Sequence, residues 1–355
     1  MSTEKVLHGV PKAFYAAYGG ITPFPICLKS VSDYLGDEVD YTYAIVACGG
    51  AFRLAWNVNG WDGGNVDIMH AYADSELPFR YGINALGREF DMLWREGKGG
   101  GWHQGSGSKE DFKAFITAQI DLGRPVISLG PVGPAEAGII TGYRDGGDTL
   151  LGWSVFQDWA CSKFDDEGYY ITDKWWEEGD FHGVMSLGVV TAPRFTAAQI
   201  VKNAIPALEG RVEGSHAKGV AAYDPWKKAL LGVTMDDFTV TGQGLADDKG
   251  VMMCEGDATD CLVDGRGRAK QYFERLAAEN PAQPLYGEIA AQFGLVEGTI
   301  YNKIYRDLFG FERGPIQVKA LAQPETRRQI AGYIDEMKAA DERALELLKK
   351  LAETL

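Results

Sequence analysis

The chain reads as an α+β domain followed by a helical one, and three observations carry that reading. Its 355 residues exceed one ordinary small domain, and 45% hydrophobic with 24% charged residues describes a chain that buries a core. Over residues 8–190, short apolar runs between turn signals read as helices first and strands afterwards, unlike the alternation of a doubly wound sheet. Past Pro193–Ala197 the spacing becomes almost wholly helical. The expected domains are therefore 1–192 and 193–355.

The elements follow in order. Leu28–Leu35 has helical spacing, as has Tyr41–Trp56 around Gly49-Gly50. Glu76–Glu96 and Lys109–Leu122 read as helices, the second capped by Ser108. Strands are expected at Pro125–Leu129, Ala137–Tyr143, Asp148–Trp153, Gly168–Thr172 and Val184–Val190. The second half predicts helices at Gln199–Leu208, Gly219–Leu231, Thr259–Glu279, Tyr286–Phe309 and Pro324–Leu355. The last is amphipathic, with Asp335, Glu336, Asp341, Glu342 and Glu346 outward, as in a docked surface helix or a homodimer contact.

Charge narrows the function classes. A net charge of −15 opposes binding to nucleic-acid phosphates and to anionic membranes. No apolar run at the start reads as a signal peptide and none is long enough to span a bilayer, so the expected address is the cytoplasm. Five scattered cysteines without a C-x-x-C pair predict reduced thiols. None of the five histidines is paired at metal-ligand spacing, so neither metal nor cofactor is expected.

Three stretches carry candidate chemistry. In Pro23-Phe24-Pro25-Ile26-Cys27-Leu28-Lys29-Ser30 a thiol opens a helix, where unpaired N–H groups and the dipole favour a thiolate nucleophile; the bland alternative is a small buried hydrophobe. Cys48-Gly49-Gly50 is a second place for a thiol, and packing inside a helix explains it equally. In Gly133-Pro134-Ala135-Glu136-Ala137-Gly138-Ile139-Ile140-Thr141-Gly142-Tyr143 a carboxylate begins a buried strand. It can act as a base toward an amine, bind a cationic group, or be structural.

Together these stretches resemble the papain-like family named for the butirosin-biosynthesis H protein, whose N-terminal domain is similar to a C39-type cysteine peptidase. The resemblance spans about residues 8–190. The remainder, with His216–Trp226 and Asp264-Gly265-Arg266-Gly267, looks like the helical partner fused to that domain. It implies a papain-like cysteine-peptidase fold and acyl chemistry: transfer of an acyl group, or formation of an amide bond, through a thioester on Cys27. The substrates it implies are a small-molecule amine or acyl compound of natural-product biosynthesis and a carrier protein. The family's histidine position is matched by Glu136, and its acid position falls near Gly152, Trp153 and Ser154, none of them acidic. A catalytically inactive member that binds a small molecule is the alternative.

Further candidates are loop residues. His103, in a glycine-rich stretch, is the histidine best able to substitute at the site. Asp62 and Asn65 sit in the polar run Asn57–Asp67, which suits ligand binding and tight turns alike, and Gln157 follows the third strand. Glu288–Ile300 mimics a helix-turn-helix with a second helix at Glu297–Leu308, which defines a lesser alternative, a DNA-linked regulator. That helix carries only Lys303 and Arg306 as basic residues.

Overall fold

A computed structural model describes residues 3–60, 63–96, 105–177, 180–241, 244–309 and 314–355. In chain order it forms β1 (Lys5–Val6), α1 (Pro23–Tyr34), α2 (Tyr41–Ala47), β2 (Ala55–Asn57), α3 (Leu77–Asn84), β3 (Arg88–Trp94) and α4 (Lys109–Asp121). There follow β4 (Val126–Leu129), β5 (Ala137–Arg144), β6 (Thr149–Ser154), α5 (Gln157–Ala160), β7 (Tyr170–Thr172) and β8 (Gly183–Val190). The rest comprises α6 (Ala197–Leu208), β9 (Arg211–Glu213), β10 (His216–Lys218), α7 (Tyr223–Gly232), β11 (Phe238–Thr241), β12 (Gly244–Asp247), α8 (Val251–Glu279), α9 (Leu285–Thr299), α10 (Pro315–Leu321) and α11 (Pro324–Ala352). No helix among the described residues is long and apolar enough to cross a membrane.

Two compact units result: Met1–Cys48 with Asp74–Phe195, and Gly49–Ala73 with Thr196–Leu355. A single cut at 192/193 misses the excursion of Gly49–Ala73 into the second unit.

The first unit is a seven-stranded antiparallel sheet in the order β3-β8-β4-β5-β6-β7, with β1 added to the outer part of β5. All of β5 but its last residue is buried, which is why it reads as a continuous apolar run: α1 and α4 both pack on it. At Gly152 on β6, an added Cβ lies 1.8 Å from the Ile139 carbonyl oxygen, so only glycine lets the two strands pair this closely. Pro23 opens α1, where its fixed φ and missing N–H are harmless. Ser108 caps α4 through the Asp111 N–H, and Asp111 returns a bond to the Ser108 N–H. Ser108→Ala is expected to lower stability by about 1 kcal/mol in thermal or urea unfolding, and an unchanged midpoint speaks against the cap.

Several expectations need correction. Tyr41–Trp56 is not one helix: α2 stops at Ala47, Gly49 turns at φ 81°, and Ala55–Asn57 is a strand paired with β10. Glu76–Glu96 is also two elements. Gly87 (φ 75°) ends the helical part, and Arg88–Trp94 pairs with β8 as the sheet edge. The second unit is not wholly helical, since β2-β10-β9 form a small sheet and β11-β12 a hairpin. The helix-turn-helix look-alike has no turn: α9 runs directly into a π-helical stretch, Ile300–Phe309, so Glu297–Leu308 is not a separate helix.

The core of the second unit packs Trp56, Trp226, Leu262, Ile304, Ile334 and Met337. The apolar face of α11 is buried inside this unit, through Ile330, Ile334, Met337, Leu347 and Leu351. That is the docked-helix alternative, with one correction: Asp341, expected to face outward, is fully buried against Arg266.

Candidate functional site

Cys27 is the fifth residue of α1, the helix that lies on β4 and β5. It is fully buried, and no hydrogen bond to its sulfur occurs among the described residues. Burial pushes the thiol far above its ordinary pKa, and the nearby Glu136 charge pushes it further the same way. This corrects the expectation of a helix-activated thiolate. Cys27 sits in the second turn, beyond the unpaired N–H groups, and desolvation outweighs the dipole there.

Glu136 is the residue before β5 and its N–H donates to the Pro134 carbonyl at 2.7 Å. The fold therefore brings the two residues proposed for catalysis within electrostatic reach of each other, with the thiol held protonated by burial. Two tyrosines complete the surroundings. Tyr18 shares a 3.0 Å hydrogen bond with Ser30, and its hydroxyl pKa is raised mainly by burial, with Asp33 and Cys27 adding to it. Tyr170 is fully buried; desolvation, then Cys161 and Cys27, hold its hydroxyl protonated. Sequence reasoning missed both tyrosines, although Tyr18 precedes a Gly19-Gly20 pair and itself adopts φ 56°.

No described histidine meets Cys27. His8 pairs with Glu167, and His182 Nε2 lies 3.0 Å from Asp180 Oδ1. His70 and His216 stack on each other at 4.3 Å within the second unit. His103 and Asp62 lie outside the described residues. At the expected acid position, Ser154 Oγ donates to the Val132 carbonyl and Trp153 Nε1 to the Val10 carbonyl.

Gln157 and Cys48 are occupied structurally, and Asn65 only through its carbonyl oxygen, its buried Nδ2 having no hydrogen-bond partner among the described residues. Gln157 is buried, its Oε1 accepting the Ser154 N–H and its Nε2 donating to the Gly168 carbonyl, which braces the turn after β6. Asn65 belongs to the second unit, where its Oδ1 accepts the Asn57 N–H at 2.9 Å. Cys48 is buried and donates to the Ile45 carbonyl.

A cleft of about 440 Å³ opens in the first unit, on the loop that leads to Glu136. One wall is Pro131-Val132-Gly133; the other is Ala160–Lys163 and Ile171–Lys174. The Ile171 N–H bonded to the Lys163 carbonyl holds this second wall together. Cys161 lines the cleft, its thiol raised to about 11 by burial. Cys161 also acts on Tyr170, which in turn is coupled to Cys27. Nothing in the local spacing marked these residues, because they come from separate strands and loops. Among the described residues no group of three or more His, Cys, Asp or Glu side chains is placed to hold a metal. No protein-family model and no curated protein matches this chain.

Proposed function

We propose that the protein is a papain-like small-molecule-binding protein whose Cys27 no longer serves as a nucleophile. The observation that carries this reading is the state of Cys27: fully buried, protonated by desolvation, and next to a carboxylate where an imidazole is needed. A carboxylate beside a thiol stabilises the protonated sulfur, opposite to what a histidine does. The cleft on the Glu136 loop supplies room for a ligand, its volume lying within the roughly 300–1,000 Å³ usual for small-molecule sites. The packing of α1 on β4 and β5 supports the papain-like reading of the first unit.

The test is thiol chemistry with a binding control. In native protein at pH 8, Cys27 is expected to react with iodoacetamide at least about 100-fold more slowly than a free thiol, as its raised pKa and burial require. The rate should recover on denaturation. Peptide mass spectrometry separates Cys27 from the other four cysteines. Fast alkylation in the folded state sinks the non-catalytic reading.

A second reading, acyl transfer through Cys27, is favoured by one observation, the placing of Glu136 within electrostatic reach of the thiol. Incubation with a small acyl thioester decides it. An acyl adduct on Cys27, absent in Cys27→Ala, establishes the transfer reading; an unmodified Cys27 peptide removes it.

A further inference from the structure

We infer that the second unit holds one structural water molecule between the segment Gly49–Ala73 and α8, seated on the Trp56 indole N–H and the Asn65 amide. Both residues are more than nine-tenths buried, at 3% and 7% exposure. Neither Trp56 Nε1 nor Asn65 Nδ2 has a hydrogen-bond partner among the described residues. Other contacts set their orientation. The Trp56 ring stacks on Trp226 at 6.2 Å. The Asn57 N–H donates to Asn65 Oδ1 at 2.9 Å, which fixes the nitrogen as the end of the amide left over. Both residues line one small cavity of about 10 Å³, whose other wall is Cys254, Asp257, Ala258 and Cys261 on α8. That volume is about the least that admits a water molecule and is too small for an organic ligand.

The chemistry of the lining selects the occupant. Two N–H donors repel a cation. Arg53 also lines the cavity, but its guanidinium already donates to the Gly50 and Val66 carbonyls and to the Cys261 sulfur. Carboxylates oppose an anion. Asp257 stands in the wall, and burial pushes the Cys261 thiol up to about 11, Arg53 opposing this and Asp257, Asp260 and Asp264 adding to it. A neutral molecule that both accepts and donates meets every constraint. Water accepts from the two N–H groups and donates toward α8, where the Asp257 carboxylate is an acceptor. Buried donors left dry are costly, and one shared water serves both.

The intact protein, with isotope-labelled tryptophan indoles, supplies the test by nuclear magnetic resonance. Of the nine indole signals, Trp56→Phe identifies the one from Trp56. That indole proton is expected to show a nuclear Overhauser effect to a long-lived water. Asn65→Leu and Ala258→Val, which fill the cavity from opposite walls, should each abolish it. Ala258→Val keeps the bond between Asn65 and Asn57, so it decides the matter if Asn65→Leu misfolds. Crystallographic density needs no variant: one water-sized peak should lie about 2.7–3.2 Å from both nitrogens. No water signal in the parent, a signal that survives filling, or a cavity without density overturns the inference. Exchanging chloride for gluconate tests a halide: a moved Trp56 signal assigns the cavity to an anion and overturns it too, and an unmoved one supports the water.

Discussion

Arg266→Met is expected to destabilise the second unit by about 3–5 kcal/mol, the usual result of stripping one partner from a buried ion pair. Arg266 and Asp341 are both fully buried. The guanidinium meets the carboxylate through Nε at 3.1 Å and Nη2 at 2.6 Å, and Nη1 donates to the carbonyls of Ala51 and Arg53. Tyr223 donates its hydroxyl to the same carboxylate at 2.7 Å. The pair thereby joins α8, α7 and α11 to the segment Gly49–Ala73, whose chain neighbours on both sides belong to the first unit. Removing the arginine leaves Asp341 charged in dry surroundings and two backbone carbonyls unserved. The double variant Arg266→Met with Asp341→Leu should regain most of the loss, because the isolated charge is gone. Urea unfolding of the three proteins measures this. A single variant within about 1 kcal/mol of the parent would show that the pair carries little.

Glu255→Gln is expected to stabilise the protein at pH 8 and to do almost nothing near pH 4. Glu255 is buried in the second turn of α8, where Oε2 accepts the Trp226 indole N–H at 2.8 Å and Oε1 has no hydrogen bond among the described residues. Burial raises its pKa from 4.5 to about 7, partly offset by the Trp226 bond. Below the lower value both folded and unfolded chains hold the proton, so the group is neutral to stability. Between the two values the unfolded chain gives up its proton and the folded one keeps it, so stability falls as pH rises. Above about 7 the loss levels off, near 3 kcal/mol. The glutamine variant lacks this titration and should flatten the profile across that window. Thermal unfolding at several pH values reads it directly, and parallel profiles for variant and parent would contradict a buried, reluctant carboxyl.

Where the sequence was legible, the signal was local. The strands β4 to β8 announced themselves as apolar runs bounded by Gly and Asp turns, and Ser108 with Asp111 marked the start of α4. Legibility failed where periodicity admitted two answers. Arg88–Trp94 is amphipathic enough to extend a helix, and only pairing with β8 makes it an edge strand. Ala55–Asn57 became a strand because β10, some 160 residues later, supplies its partner. The helix-turn-helix look-alike had a glycine where a turn was expected but no reason to turn, and α9 simply continues.

The site divides along the same line. Cys27 and Glu136 could be singled out by residue type and position within their own elements, and their proximity follows from α1 lying on β5. The protonation of the thiol could not be read, because it depends on water being excluded and on Glu136 arriving from the start of β5. Gln157 looked available as a polar loop residue, and the fold spends both ends of its amide on its own backbone.

By itself, then, the order of residues determined the elements with strong local period, the two-part organisation and the identity of the thiol worth watching. The tertiary structure alone decided that this thiol is dry, that residues 49–73 serve the helical unit, and that a cleft opens beside the Glu136 loop. The reason is that helix and strand preference are set by neighbours within a few positions, whereas desolvation, charge coupling and cavity shape are set by atoms far apart along the chain.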